Sequence, residues 1–278
     1  MLIRRQTIKK LSSEIRKIID GQIIDLRDNR EGVWSALRND IHTLAYINNE
    51  QMDVLQFERD LMKDTIANIS HQLKTPLTSV MMMVDLLDSM LATNKMAEDK
   101  QDEFLTNLKM SLTQMDWLVS ALLKMARLDA GVIMFSKNQI QACTLISLAL
   151  EPLQIMLDIK NQSVDILGEA KFNCDKNWTV EALVNVLKNA SEYSPVGGKI
   201  FIEVGKNPLC KWISITDSGT GITNAEIARI FKRFEGSRNN MGYGIGLPLA
   251  LAIMRGQNGD IEVSKGANGG AVFTLKFY

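Results

Sequence analysis

The sequence predicts a multidomain α+β protein in which a helical hairpin is followed by an α/β sandwich domain. Proline and glycine divide the chain. Residues 33 to 130 contain one proline, Pro76, and no glycine, whereas glycines gather in short clusters after residue 196. Few breakers predict long helices, and breakers between short β-branched runs predict a mixed sheet. The length of 278 residues is enough for two modest domains and some connecting helix.

The helical part carries one apolar seam on each of two helices. After His71 the apolar positions follow at alternating steps of four and three, the period of a helix packed in a bundle. The two seams consist of Leu73, Leu77, Val80, Val84, Leu87 and Leu91, and of Leu105, Leu108, Leu112, Met115, Val119, Leu122 and Met125. A polar stretch of hairpin length, Ala92 to Lys100, separates them. Because one hairpin cannot form a stable core alone, we expect a homodimer with a four-helix bundle.

The second part of the chain alternates helices and strands after Gly131, the expected C-terminal cap of the second long helix. Apolar periods predict helices at Cys143–Lys160, Trp178–Tyr193 and Pro248–Gln257. Strands are predicted at Ser163–Leu167, Ile200–Val204, Lys211–Thr216, Asp260–Ser264 and Ala271–Phe277. We expect the second and third strands to form a hairpin and the last two to form a closing pair. This mixture predicts a layered α/β sandwich with helices on one face of a mixed sheet.

The beginning of the chain has a helix–connector–helix pattern. A helix-like stretch runs from Ile8 to Ile19, a break follows at Gly21, and a second helix begins at Val33 after an extended segment. This pattern fits a parallel coiled-coil relay. We therefore expect three domains: a relay over residues 1–50, a dimerising hairpin over residues 51–132 and a sandwich domain over residues 133–278.

The charge balance and the cysteines exclude several classes of protein. Lys and Arg total 32, as do Asp and Glu, so the overall field gives no case for nucleic-acid binding. Cys143, Cys174 and Cys210 are widely spread and have no CxxC spacing, which argues against a disulfide framework or a zinc site. We expect three buried or partly buried thiols in a reducing compartment.

The hydropathy of the chain predicts no membrane helix. The longest uncharged apolar stretch, Asn138 to Leu150, is shorter than the ~18 residues that a span needs. There is no signal-peptide pattern either, so the chain as given is expected to be cytoplasmic. Its basic start, with Arg4, Arg5, Lys9 and Lys10, fits two alternatives equally. It either follows a membrane span that lies outside this chain or is an ordinary solvated helix start.

The first chemical motif is the octapeptide SHQLKTPL, residues 70 to 77. On a helix, His71 lies two residues before the seam position Leu73, about 200° around the axis, and so points into water. A neutral imidazole there can act as a nucleophile. Thr75 shares its face at i+4, where its hydroxyl can position a water or a phosphoryl oxygen. Pro76 should bend the helix just below the histidine.

Three motifs in the second part suit a nucleotide with a metal ion. Asn185 and Asn189, at i and i+4 on one helix, offer two amide oxygens that can help hold Mg²⁺. Asp217 ends a strand before two glycines in DSGTGI and can accept a hydrogen bond from an exocyclic amine. In GYGIGLPLA, residues 242 to 250, alternate glycines before Pro248 at a helix start suit a phosphate chain. A dinucleotide-binding loop would instead come early in a βαβ unit.

Together these motifs resemble the sensor histidine kinases of two-component systems over residues 65 to 278. The octapeptide, its seam and RLDAG at residues 127–131 are similar to the family's dimerisation and phosphoacceptor domain. The segments 185–195, 217–222, 230–237 and 242–250 are similar to its N, G1, F and G2 boxes. Alone, each motif also fits a solvated histidine, capping asparagines or a plain turn, but all five occur in the family's order and spacing. Residues 1–50 resemble a HAMP-type relay more weakly.

This resemblance implies a function and a set of site residues. ATP is implied to bind the sandwich domain with Mg²⁺ and to phosphorylate His71, after which an aspartate on a response-regulator receiver domain takes the phosphoryl group. Asn189 is the implied Mg²⁺ ligand, supported by Asn185, and Thr75 is implied in phosphatase activity. Phe231 and Phe234 are implied to seat a mobile lid. The implied nucleotide contacts are Asn185, Lys188, Asn189, Tyr193 near the adenine, Asp217 at its amino group, Gly219, Gly221, Ile222, Arg233 at the γ-phosphate, Gly242, Gly244, Gly246 and Leu247.

Two positions depart from the family pattern and leave alternatives open. Gln72 stands where an acidic residue usually serves as the base, and an amide fixes the ring tautomer but takes up no proton. Glu192 stands where a basic residue is common, although Lys188 is close enough to compensate. Both departures favour a degenerate, non-catalytic dimeric scaffold that binds ATP. Another ATPase of the superfamily, such as a chaperone or a gyrase-like protein, would not carry SHQLKTP before its ATP domain.

Overall fold

The computed structural model describes residues 12–13, 15–16, 33–92, 98–235, 244–266 and 269–278. The chain divides into two compact units, Met1–Ala67 and Asn68–Tyr278. In the first unit, the described residues from position 33 onward belong to one helix, α1 (Val33–Ala92), which ends in the second unit. Most of the predicted relay segment lies outside the described residues, so its helix–connector–helix pattern stays a prediction.

The second unit contains the end of α1 and a second long helix, α2 (Glu98–Asp129), as the apolar seams predicted. The expected hairpin break overlaps residues 93–97, which lie outside the described residues. Helix α1 runs through Pro76, whose ring nitrogen has no hydrogen to donate. Helix α2 ends at the expected cap, because Gly131 has a φ of 63° and donates its N–H to the carbonyl of Leu128 at 3.0 Å.

Several seam residues of the two long helices are more than 40% exposed in a single chain. Leu77 and Val84 on α1 are 47% and 42% exposed, and Leu112 and Val119 on α2 are 48% and 43% exposed. The predicted seam residue Met125 differs, since it is buried in the core of the sandwich domain together with Leu118 and Ala121. Burial of such exposed apolar faces against another surface removes them from water and stabilises the assembly that forms.

The sandwich domain is built on a five-stranded mixed sheet with the strand order β2–β4–β5–β7–β6. Strand β2 pairs in parallel with β4, and the other neighbours are antiparallel. The strands are β2 (Ser163–Leu167), β4 (Lys199–Lys206), β5 (Lys211–Thr216), β6 (Gly259–Lys265) and β7 (Ala271–Phe277). All five were predicted within a few residues, as were the β4–β5 hairpin and the β6–β7 pair.

One face of this sheet packs against helices. Buried positions alternate along β4 and β7, so Ile200, Ile202, Phe273 and Leu275 point to the same covered side. The covering helices are α3 (Ala142–Leu150), α5 (Lys176–Tyr193) and α7 (Gly246–Gly256). Full burial of each large apolar side chain contributes about 1.5–3 kcal/mol to folding. The layered sandwich is therefore as predicted.

Three local elements differ from the prediction. The expected helix Cys143–Lys160 is divided into α3, a 3-10 turn (Glu151–Leu153) and α4 (Gln154–Ile159), because Pro152 donates no backbone hydrogen bond. A second, two-stranded sheet pairs β1 (Lys137–Gln141) with β3 (Lys171–Asp175). A short helix, α6 (Asn224–Ile227), follows β5 and has a capping box.

The segment Ala142–Ile159 is, among the described residues, long and apolar enough to cross a membrane by length and composition alone. In the fold it is broken by the 3-10 turn, and its residues Leu145, Ile146, Ala149 and Leu153 belong to the buried core. We therefore interpret it as core-forming helix.

The three cysteines are free, and Cys143 is exposed, so the expectation that every thiol is at least partly buried was wrong there.

Candidate functional site

A cavity of about 610 Å³ opens in the sandwich domain beside the end of β5. Its volume falls in the range of small-molecule and cofactor sites. Five residues that sequence analysis assigned to a nucleotide line it: Asn189, Tyr193, Asp217, Gly221 and Ile222. The lining residues that sequence analysis missed are Thr220, Glu226, Arg229, Ile230, Glu235, Ala271 and Phe273.

Helix α5 forms one wall of the cavity. Asp175 caps its first turn, because Oδ1 accepts hydrogen bonds from the N–H groups of Asn177 and Trp178 at 3.0 and 3.2 Å. The cavity residues Asn189 and Tyr193 follow each other at i and i+4 on the same face of this helix. The helix therefore carries an amide and an aromatic ring to one opening.

Asn185, one turn earlier, is buried and does not line the cavity. Its Nδ2 donates to the carbonyl of Glu181 at 2.9 Å, which orients the amide. Its Oδ1 faces Gly246 so closely that a Cβ at that glycine would lie 2.7 Å away. A side chain at position 246 would therefore displace the Asn185 amide, so the two residues are closely packed where α5 meets the start of α7.

The loop after β5 forms the second wall. Asp217 is 4% exposed, and its Oδ1 accepts the N–H of Gly219 at 2.8 Å. Burial raises the pKa of the Asp217 carboxyl, and the backbone N–H groups of Gly219 and Ala271 oppose that rise. A Cβ at Gly219 would lie 2.6 Å from the carbonyl oxygen of Tyr193, so the two walls touch at this glycine. Gly221 has a φ of 87°, a conformation that favours glycine.

The glycine-rich segment before α7 is partly described. Gly242 lies outside the described residues, whereas Gly244 has a φ of 65° and accepts the N–H of Phe234 at 2.9 Å. Helix α7 begins at Gly246, two residues before the predicted start at Pro248, which lies in its first turn. Leu247 is buried, so it packs in the core and does not line the cavity.

Two cations assigned to the nucleotide contact α2 instead of the cavity. Arg233 Nη2 lies 2.7 Å from Oδ1 of Asp129, the last residue of α2. Lys188 Nζ lies 5.1 Å from the ring centroid of Trp117 on α2 and 3.9 Å from Glu192. Neither lines the cavity. A further contact between α5 and α2 joins Glu181 to Lys124 at 2.8 Å. The sandwich domain is therefore docked on α2 through these polar contacts as well as through the buried residues Leu118, Ala121 and Met125.

Among the described residues, Arg229 is the cation that lines the cavity. Its Nε lies 3.6 Å from a carboxylate oxygen of Glu235, a loose pair that leaves the arginine side chain 65% exposed. Sequence analysis missed it because its segment contains several basic residues and no spacing rule separates them. The described residues contain no group of three or more His, Cys, Asp and Glu side chains that could hold a metal ion.

Glu192 stands at the end of α5, where a basic residue was expected. Burial raises the pKa of its carboxyl, and Lys188 and Lys160 oppose that rise. The carboxylate and Lys188 therefore partly neutralise each other at this edge of the domain, as their i, i+4 spacing allows.

His71 lies on α1 with its side chain exposed, as the helical geometry predicted. Thr75 is exposed on the same face, and its Oγ1 donates to the carbonyl of His71 at 3.2 Å. Gln72 is half-buried, and Leu73 packs against the buried core cluster, which includes residues of α2 and of the sandwich domain. The predicted nucleophile His71, the hydroxyl of Thr75 and the amide of Gln72 are therefore close together on one segment of helix.

Comparison with known protein families covers both domains. Residues 61–131 match the His Kinase A (phospho-acceptor) domain. Residues 174–278 match the histidine kinase-, DNA gyrase B-, and HSP90-like ATPase domain. The chain belongs to the sensor histidine kinases. A phosphoacceptor domain ahead of the ATPase domain separates this histidine kinase from the chaperone and gyrase alternative, and its second domain is an ATP-binding domain.

Individual relatives support the same family. This histidine kinase is 28% identical over 249 residues to the heme sensor protein HssS of Staphylococcus saprophyticus, covering 89% of this chain and 53% of HssS. It therefore spans about half the length of that relative. The relay prediction for residues 1–50 and the boundaries at residues 51–132 and 133–278 stay predictions, since the family matches begin at residues 61 and 174.

Two solved structures share the fold of this histidine kinase. The histidine kinase AdeS of Acinetobacter baumannii has a TM-score of 0.60 and 22% identity, covering 74% of this chain and 96% of the AdeS chain. The histidine kinase ThkA, solved in complex with the response regulator protein TrrA, has a TM-score of 0.63 and 16% identity. That likeness covers 83% of this chain and 65% of the ThkA chain. Both show the arrangement of a helical region followed by an α/β domain.

Proposed function

We propose that this chain uses ATP to phosphorylate His71 and then passes the phosphoryl group to an aspartate on the receiver domain of a response regulator. The observation that carries the proposal is the cavity lined by Asn189, Tyr193 and Asp217 in an ATP-binding domain that follows an exposed histidine. The cavity offers an aromatic ring, an amide and a buried carboxyl, the groups needed for an adenine and a phosphate chain.

The nucleotide base is oriented by Asp217. When ionised, its buried carboxylate accepts the hydrogen bond of the adenine amino group, and Gly219 holds the carboxylate in place. Tyr193 packs beside the base, and Gly221 lets the backbone approach it closely. Helix α7 begins at Gly246, and the dipole at this helix start favours the phosphates, although neither Gly244 nor Gly246 lines the cavity itself.

Mg²⁺ fits the cavity through its donor set. Asn189 lines the cavity with a neutral amide, and an amide oxygen suits an ion that keeps several waters and binds phosphate oxygens. Asn185 has its nitrogen bound to the carbonyl of Glu181 and its oxygen against Gly246, so we assign it a supporting role. When bound there, Mg²⁺ neutralises charge that develops on the phosphates.

The phosphoryl transfer takes place at His71. A ring nitrogen of the neutral imidazole attacks the γ-phosphorus of ATP in line, the bond to the β-phosphate oxygen breaks, and ADP leaves. Gln72 accepts the hydrogen bond of the second ring N–H and so holds the tautomer, while the released proton passes to solvent. An aspartate carboxylate of the regulator then attacks the phosphorus, and the histidine is restored. Thr75 serves the opposing phosphatase activity, in which its hydroxyl orients the water that hydrolyses the phosphoryl group.

We propose two partners for this chain, a second copy of itself and a response regulator. The exposed seam residues Leu77, Val84, Leu112 and Val119 support a homodimer in which two hairpins form a four-helix bundle. The complex of ThkA with TrrA supports docking of a response regulator. We place both domains in the cytoplasm, where ATP and such regulators meet.

The test is phosphorylation with ATP labelled at the γ-phosphate. The kinase is expected to take up label that is lost in acid and stable in base, and the label should be absent from His71→Gln. Binding of ATP without any label would instead identify the degenerate scaffold that Gln72 and Glu192 favour. A chain that neither binds ATP nor takes up label would end both proposals.

A further inference from the structure

A buried glutamine closes the end of α5 next to the nucleotide cavity. Gln162 is 9% exposed and precedes β2. Its Nε2 donates to the carbonyl oxygens of Ser191, Ser194 and Pro195 at 3.0, 3.0 and 3.1 Å. Its Oε1 accepts the hydroxyl of Ser191 at 2.5 Å. One planar amide therefore forms hydrogen bonds with three carbonyl groups and one hydroxyl group of the segment where the helix ends.

These carbonyl groups need partners, because Ser191 lies in the last turn of α5 and Ser194 and Pro195 follow it, where no later helical N–H group pairs with them. The N–H of Gly198 also donates to the carbonyl of Pro195 at 3.0 Å. Lys160 shares the task, since its Nζ donates to the carbonyls of Ser191 and Glu192 at 2.7 and 3.2 Å. The two side chains differ, however. The lysine is flexible, whereas the amide of Gln162 is planar and has a fixed direction of both donation and acceptance.

The end of α5 is also the point where the two walls of the cavity meet. Ser194 Oγ accepts the N–H of Ser218 at 3.2 Å, directly after Asp217. Gly219 approaches the carbonyl of Tyr193 so closely that a Cβ would lie 2.6 Å from it. A shift of the last turn of α5 therefore moves Tyr193 and the Asp217 loop together.

We propose that Gln162 is a positioning residue for nucleotide binding, acting through the last turn of α5 on Tyr193, Asn189 and Asp217. It does not line the cavity, so its effect is indirect. The inference rests on the proposed function, because it concerns the geometry of the same nucleotide site. An apolar side chain at this position leaves three carbonyls and one hydroxyl of a buried turn without this partner, and the turn then loses its fixed position.

The chain offers a matched control at the other end of the same helix. Gln257 is 5% exposed, and its Oε1 accepts the N–H of Asp175 at 2.6 Å while its Nε2 donates to the hydroxyl of Thr179 at 3.3 Å. It therefore holds the first turn of α5, away from the cavity. Both glutamines are buried amides that bridge one helix terminus, and they differ in which terminus they hold.

The experiment compares Gln162→Met with Gln257→Met in the full chain. Both variants should lower the melting temperature by several degrees, because each removes buried hydrogen bonds. Gln162→Met should in addition raise the Kd for ATP by about tenfold and reduce the preference for ATP over GTP, since Asp217 is displaced. Gln257→Met should keep the wild-type Kd and preference.

Ser191→Ala is a milder variant that stays informative if Gln162→Met does not fold. It removes only the hydroxyl that donates to Gln162, and it should raise the Kd for ATP by about threefold. An unchanged Kd in a folded Gln162→Met or Ser191→Ala protein would overturn the inference, as would an equal rise in Gln257→Met. If the wild-type chain does not bind ATP, the proposed function itself fails, and that result is distinct from both outcomes.

Discussion

The guanidinium of Arg233 and the carboxylate of Asp129 form an ion pair of 2.7 Å that joins the sandwich domain to the last residue of α2. The two side chains are 38% and 47% exposed, so the pair contributes little to stability. Its consequence is positional. The arginine proposed to reach the γ-phosphate is held by the helical domain, and the phosphate must compete with Asp129 for it.

Asp129→Asn is therefore expected to favour ATP binding. Loss of the partner charge releases Arg233, so the KM for ATP should decrease by about threefold, while the free energy of unfolding changes by less than about 1 kcal/mol. Steady-state phosphorylation and urea unfolding measure the two quantities. The same substitution in an Arg233→Gln background should have no effect on KM. A decrease that persists in that background would show that Asp129 acts through another group.

His71→Gln should abolish phosphorylation and retain ATP binding. In the proposed mechanism the imidazole of His71 is the nucleophile, and glutamine keeps polarity and helix propensity without a reactive ring. The chain has two histidines, so His42→Gln is the natural control and should take up label as the wild type does. Radiolabelled ATP measures phosphorylation, and calorimetry measures ATP binding. Label in His71→Gln at the wild-type level would place the phosphoacceptor elsewhere.

Gln72→Glu should increase the rate of phosphorylation at neutral pH by about tenfold, because a carboxylate takes up the imidazole proton whereas an amide does not. The variant should also acquire a decrease in rate at acidic pH, as the carboxylate with an ordinary pKa of about 4.3 becomes protonated. Single-turnover rates across pH test both effects, with Gln72→Met as the uncharged control. Equal rates in wild type and Gln72→Glu would mean that proton uptake does not limit the reaction.

Asp217 should make stability and ATP affinity respond to pH in opposite directions. Burial raises its pKa above the ordinary value of 3.8, so the folded state binds this proton more tightly than the unfolded state. Its contribution to stability is therefore present below 3.8 and is lost as pH rises through the folded pKa. The ionised carboxylate accepts the hydrogen bond of the adenine amine more strongly than the protonated group does, so ATP affinity should instead decrease as pH falls through the same pKa.

The comparison with Asp217→Asn isolates this effect from the titration of ATP itself and of other side chains. Calorimetric affinities and thermal unfolding are the measurements, over a pH series that starts near the ordinary value of 3.8 and extends to neutral pH. The variant should lack the acid-side loss of affinity that the wild type has. Parallel pH profiles in the two proteins would show that Asp217 does not accept a hydrogen bond from the adenine amino group.

Much of the fold was predictable because local periodicity carries it. The alternation along β4, β5 and β7 follows the side-chain period of a strand, and the seams of α1 and α2 follow the period of a helix. The β1–β3 sheet was missed because each strand has few apolar positions and the pairing joins distant segments, such as Ile140 with Phe172. The break at Pro152 was available in the sequence and was overlooked.

The site was predictable where a short sequence motif contains several of the residues that line the cavity. Asn189, Tyr193, Asp217, Gly221 and Ile222 were assigned from short segments, and all five line one cavity. Arg229 was not found, and the partners of Arg233 and Lys188 on α2 were not foreseen. Contacts across more than 70 residues of sequence depend on how two helices pack, and no local pattern encodes that distance.

The sequence by itself determined the family, and it predicted His71 as the nucleophile and five of the cavity residues, because each depends on neighbouring residues in one helix or one turn. Exposure of His71 and its placement with Thr75 follow from helical spacing alone. Only the tertiary structure decided which cation faces the cavity, what holds Arg233, and that Gln162 closes the end of α5. These are relations between segments far apart in the chain. Their geometry is set by packing of the whole domain, in which each buried polar group must find a partner.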